Sequence, residues 1–359
     1  MSTSVISYHK IERNDVVDIA KGIGILAVIL MHITPMPLLP SIFMPLFFFI
    51  SGFFAPLKEG DFYSCLNKKT KSLLIPFYTY IILFGIIAYL FGNLNLIDED
   101  FHFFNWLSVQ RALYESLLFQ PYIPWIGQFW FVGVLWQAFI IWFLLRDIIV
   151  WALKSKKNLF IYTSCCIFLY YQIIYSSPTI ESKSVIFILC RSLYGFLFIS
   201  FGYIYYTNIK YNKKIKFFIL LLYILLLIVC THINYDADIR TMFFSSSSKF
   251  VSFFYSIFGI ISYMFISELI NTKTNYIKRF FIFCGKNSLH FLGSHMFFIF
   301  IIKKILPDSL LPSITSAWAG GASWGGEAGN ILIYIIVSTI MCSIYVYTLR
   351  KSITFWHTL

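Results

Sequence analysis

The stretch "KGIGILAVILMHI", residues 21–33, is apolar except for a lysine at its start and a histidine next to its end. Carried back to residue 16, the run is long enough to cross the roughly 30 Å hydrocarbon core of a bilayer as a helix. A charged side chain at the centre of such a span costs about 2.5–3.5 kcal/mol on insertion scales, so residues of this kind usually face protein. At about 100° per residue, the spacing from Lys21 to His32 makes three turns plus roughly 20°. The two side chains therefore share one helix face, separated by about 16 Å along the axis. Asp18 joins that stripe one turn earlier, and Gly22 and Gly24 thin the helix beside Lys21. Taken alone, the pair has two readings. Either Lys21 snorkels to the headgroups and His32 makes a packing hydrogen bond, or both line a functional interior.

The rest of the chain supports a membrane setting. Of 359 residues, 59% are hydrophobic, 21% aromatic and 12% charged, against roughly 25% charged in a soluble domain. Apolar stretches lie near 16–34, 38–57, 73–93, 128–150, 158–177, 184–206, 215–233, 248–270, 280–302 and 330–349. No small-residue cleavage site follows the first, so it reads as a span and not a signal peptide. The connection 94–127, with "IDEDFHFFNW" and "PYIPW", reads as an interfacial loop or short re-entrant helix. The fold expected is all-α: a polytopic membrane helix bundle of about ten transmembrane helices, forming a single domain over residues 1–359.

The net charge of +12 comes from short Lys and Arg clusters between apolar runs, the pattern of the positive-inside rule and not of a nucleic-acid interface. With the N-terminus inside, clusters such as Lys68, Lys69 and Lys71, or Lys210, Lys213, Lys214 and Lys216, fall in the cytoplasm. The outer loops then hold few basic residues, among them Arg240 and Lys249, together with Asp98, Glu99, Asp100, Asp236 and Asp238. Both termini are therefore expected in the cytoplasm. Lys21, Lys286 and Arg191 remain within or just inside the apolar spans. The seven cysteines show no C-x-x-C spacing and read as small buried hydrophobes. No HExxH or Walker pattern occurs, and no metal is expected.

"DIAKGIGILAVILMH" followed by "PLFFFISGFF" resembles the opening of the acyltransferase-3 family of integral membrane enzymes, in its branch of fucose 4-O-acetylases and polysaccharide O-acetyltransferases. In that family a basic residue, ten intervening residues and a histidine mark the first helix, and the match maps onto Asp18, Lys21 and His32, then onto Ser51 and Gly52. Many members carry Arg where this chain has Lys21, which favours a point-charge contact over a bidentate one. "FWFVGVLW" (Phe129 to Trp136) resembles the family's Trp-Phe stretch, and "CRSLYGFLFISFGYIY" its Arg-to-Gly helix, with Arg191 and Gly202. "GKNSLHFLGSH" resembles its late motif, mapping onto Gly285, Asn287, Ser288, Leu289 and His295, with Phe291 and Leu292 where Ile-Tyr is common.

The resemblance implies transfer of an acetyl or similar short acyl group from acetyl-CoA to a sugar hydroxyl of a surface polysaccharide or its lipid-linked precursor. The setting it implies is a multi-pass protein of the bacterial plasma membrane, in contact with membrane lipids and with no nucleic-acid partner. A hydroxyl needs its proton removed before it attacks, and histidine titrates in the right range. His32 is the candidate base, with a covalent acyl-histidine as the other route. Lys21 is placed to hold a coenzyme A phosphate at the cytoplasmic side, with Asp18 beside it.

His295 is read as holding the acceptor or polarising the thioester carbonyl, and His290 as structural. Arg191 binds a carboxylate or phosphate, or pairs with Asp18. Asn287 and Ser288 are either oxyanion donors or packing groups, and Ser51 and Trp130 are candidates for the substrate side. A transporter or flippase for a lipid-linked sugar is the competing class, because ten spans with interior Lys, Arg and His also suit a proton-coupled carrier.

Overall fold

The computed structural model describes residues 14–33, 36, 38–57, 62–93, 110, 114–117, 119, 125–176, 184–208, 212–238, 240–273, 275–305 and 335–349. Both termini, and most of the 94–127 connection, lie outside the described residues. The principal helices among the described residues are α1 (Asp15–Ile33), α2 (Pro40–Gly52), α3 (Phe62–Lys69), α4 (Ile75–Asn93), α5 (Trp130–Leu144), α6 (Arg146–Leu153), α7 (Lys156–Ser176), α8 (Val185–Asn208), α9 (Lys213–His232), α10 (Ser246–Asn271), α11 (Tyr276–Lys286), α12 (Ser288–Ile305) and α13 (Ile335–Leu349). A two-residue antiparallel ribbon pairs Ala237 with Phe244 and Asp238 with Phe243 between α9 and α10.

Local chemistry sets several boundaries. The side chains of Asn14, Asn212 and Asn275 accept from the backbone N–H groups of Val16, Ile215 and Lys278 at 2.9, 3.0 and 2.8 Å. Each occupies an orphan donor at a helix start. The backbone widens into a π turn over Thr70–Leu74, just before Pro76, which has no N–H to give to a regular helix.

Among the described residues seven helical stretches are long and apolar enough to cross a membrane. The spans expected near 38–57, 280–302 and 330–349 are shorter apolar helices. Two expected spans are interrupted. The run 128–150 is interrupted at Leu145, between α5 and α6. The run 280–302 breaks at Asn287, whose Nδ2 donates to the Phe283 carbonyl at 2.7 Å, a local bond that competes with helix continuation. In the bundle, α1, α5, α8 and α10 are buried over more than half of their apolar core, whereas α4, α7 and α9 turn most of theirs outward. The outward faces carry residues such as Phe160, Phe168 and Leu225, as a lipid-facing ring requires. The protein is an all-α polytopic membrane bundle.

Two glycine contacts order its centre. α1 packs against α11, and α2 against α8. A Cβ at Gly22 would strike the Phe281 carbonyl, and one at Gly285 the Asp18 carbonyl. Gly52 meets the Ile199 carbonyl and Gly202 that of Phe49 in the same reciprocal way. Only glycine lets the backbones come this close. The reciprocity also shows that each pair of helices runs side by side in one direction, and the Asp15 to Lys278 ion pair at 3.5 Å keeps the α1 to α11 register.

Candidate active site

His32 lies one residue before the end of α1 and His295 lies within α12, which α1 also touches. Their ring centres are 5.1 Å apart and their planes inclined by 44°. His295 is fully buried, and its Nδ1 is 2.9 Å from the Phe291 carbonyl oxygen. A carbonyl only accepts, so Nδ1 carries the proton in this bond and a neutral ring keeps its lone pair on Nε2. Nε2 is buried and has no hydrogen-bond partner among the described residues. The pair thus contains an imidazole nitrogen whose tautomer is set by the backbone and whose acceptor position is held for something else.

Toward the start of α1 the site is cationic. The Lys21 ammonium stands 5.9 Å from the Phe54 ring centre, just beyond α2. Lys69, at the end of α3, holds its ammonium 4.1 Å from the Phe139 ring centre, and the charges of Lys69 and Lys21 act on one another. Two lysines, each beside an aromatic face, concentrate positive charge here. Asp18 is buried at the α1 to α11 crossing, where Gly285 meets its carbonyl.

At the His32 end lies a second cationic group. Arg191 is buried, with its guanidinium carbon 5.0 Å from the Trp130 ring centre and 4.8 Å from that of Phe187. Its Nη1 donates to the Arg240 carbonyl at 3.4 Å, and the charge of Arg240 bears on His32. Trp130 and Arg191 are thus brought together beside the 233–245 turn.

The remaining candidates occupy quieter positions. Ser51 donates to the Phe47 carbonyl at 2.8 Å inside α2. Asn287 is buried at the α11 to α12 break, its Oδ1 without a partner among the described residues. Ser288 begins α12 and is half-buried. His290 meets the Tyr80 hydroxyl through Nδ1 at 3.0 Å, and Tyr345 donates to that hydroxyl at 3.4 Å. Lys69 and Arg240 were not legible as site residues. Lys69 reads in sequence as one of a loop cluster, and Arg240 as a residue of an outer loop, with no local pattern to distinguish either.

The profile of the family described as "Acyltransferase domain" matches residues 14–350. No curated protein and no solved structure matches the chain significantly. The matched region takes in α1 with Lys21 and His32, α8 with Arg191, and α12 with His295, so that the three parts of the site fall inside it. The chain belongs to this acyltransferase family and is a multi-pass membrane acyltransferase.

Proposed function

We propose that the protein moves an acetyl or similar short acyl group from acyl-CoA to a sugar hydroxyl of a surface polysaccharide or its lipid-linked precursor, in the bacterial plasma membrane. The observation that carries this reading is the contact of His32 with His295, two imidazoles joined from opposite ends of the chain. His32 takes the proton of the acceptor hydroxyl as its oxygen attacks the thioester carbonyl. The carbon–sulfur bond then breaks, and the same proton passes to the departing thiolate, so that ester and free coenzyme A are the products. His295 keeps an acceptor nitrogen beside the imidazolium that forms.

Lys21 and Lys69 hold donor phosphates as point charges. The distance of about 16 Å from Lys21 to His32 suits an extended pantetheine arm. Arg191 and Trp130, at the His32 end, then fall on the acceptor's side.

The test is to supply labelled acetyl-CoA to membranes containing the protein and follow label into polysaccharide or its lipid-linked precursor. Label that depends on both His32 and His295 supports the reading. Label that is absent, or indifferent to both residues, removes it.

A further inference from the structure

A cavity of about 270 Å³ opens where the starts of α1 and α9 meet the ends of α2, α8 and α10. The charge pattern assigns all five of these helix ends to the cytoplasmic side. Val17, Phe53 and Met264 give it apolar walls. Lys216 binds both carboxylate oxygens of Glu268 at 2.6 Å, leaving the exposed Lys213 as the net charge at the rim. Tyr205 lines the same space, is 2% exposed, and its hydroxyl has no hydrogen-bond partner among the described residues. A buried hydroxyl is costly to leave without a partner. Apolar walls, one buried hydroxyl and one rim cation match a flat heterocycle carrying a phosphate.

Position names the ligand further. Asn14, which lines the cavity, Lys21 and His32 fall within about 20° of one line along α1, spaced about 10 Å and then about 16 Å. Cavity, lysines and histidine pair therefore follow one another in the order of nucleotide, pyrophosphate and thioester in an extended acyl-CoA. We propose that this cavity seats the nucleotide end of the donor. The purine packs against Phe53 and Met264, the Tyr205 hydroxyl bonds the base or ribose, and Lys213 meets the 3′-phosphate. The assignment rests on acyl-CoA as the donor.

The test uses the full chain in nanodiscs, with adenosine 3′,5′-bisphosphate as probe and with acetyl-CoA and S-acetyl-4′-phosphopantetheine as alternative donors. Tyr205→Phe removes only the hydroxyl, and Lys213→Gln alters an exposed side chain, so both variants should fold. Each is expected to weaken bisphosphate binding by about tenfold and to narrow the preference for acetyl-CoA over the truncated donor by a similar factor. Wild-type bisphosphate affinity and donor preference in both variants, with transfer intact, would overturn the cavity assignment and leave the donor standing. No transfer and no binding with either donor in the wild type would remove the donor reading, and the assignment with it. A Lys213-dependent loss of bisphosphate binding when phosphatidylglycerol replaces phosphatidylcholine would make the cavity a lipid-headgroup site and overturn the proposal.

Discussion

Gly22 and Gly285 lie side by side at the crossing of α1 and α11, each leaving room for a carbonyl of the other helix. α1 carries Lys21 and His32, and α11 leads through Asn287 into the helix that carries His295. The crossing thus sets the spacing of the histidine pair. Gly285→Ala would force a methyl group against the Asp18 carbonyl, and overpacking of this kind costs about 1–3 kcal/mol. The expected result is a lower melting temperature in detergent and a larger proportional fall in transfer rate. A variant as stable and active as the wild type would show that the close approach does not position the site.

Lys21 separates donor binding from chemistry. Lys21→Arg keeps the charge and should retain much of the activity. Lys21→Met should weaken acyl-CoA binding by about 1.5–3 kcal/mol, a factor of roughly ten to a hundred and fifty, with little change in apparent affinity for the acceptor. Lys69→Gln should act in the same direction, because the two charges share one site. If Lys21 serves Asp18 instead, the Met variant will be unstable and removal of Asp18 will restore part of that stability. Donor titration and thermal melting of the same variants decide this.

Arg191 combines two aromatic faces with a donor to the Arg240 carbonyl. A lysine has neither the planar fork nor the stacking surface. Arg191→Lys is therefore expected to raise the acceptor KM several-fold while donor affinity stays near wild type. An equal loss with respect to both substrates would place Arg191 in general stability.

The Lys216 to Glu268 pair is nearly closed to solvent on the lysine side and a quarter exposed on the glutamate side. Removing one partner of a buried pair leaves an uncompensated charge, a loss of about 3–5 kcal/mol, and the partial exposure of Glu268 puts this pair at the lower end. Lys216→Met should destabilise strongly, and adding Glu268→Gln should recover part of the loss. Melting curves for the two singles and the double variant measure the coupling.

What sequence made legible follows what is local. Apolar runs mark the bundle because hydropathy is additive along a helix. Lys21, His32, Arg191 and His295 stand out because a polar residue in such a run needs a reason. The break at Asn287 was hidden, since one asparagine hardly alters the average hydropathy of its neighbourhood. Lys69 was hidden for a different reason: its interior place depends on Phe139, far along the chain. The contact between His32 and His295 is likewise tertiary, although each histidine was marked by its motif. Arg191 was recognised as interior, but its partners Trp130, Phe187 and the Arg240 carbonyl come from three separate segments.

The most direct test of the central claim is the single-turnover rate of acyl transfer by purified His32→Gln, measured with acyl-CoA binding on the same sample. Glutamine keeps some hydrogen bonding and removes the proton-accepting ring nitrogen. The account predicts a folded protein that binds acyl-CoA with near wild-type affinity and transfers the acyl group about 10²–10⁴ times more slowly. A His32→Gln enzyme that transfers at a rate close to wild type would contradict it.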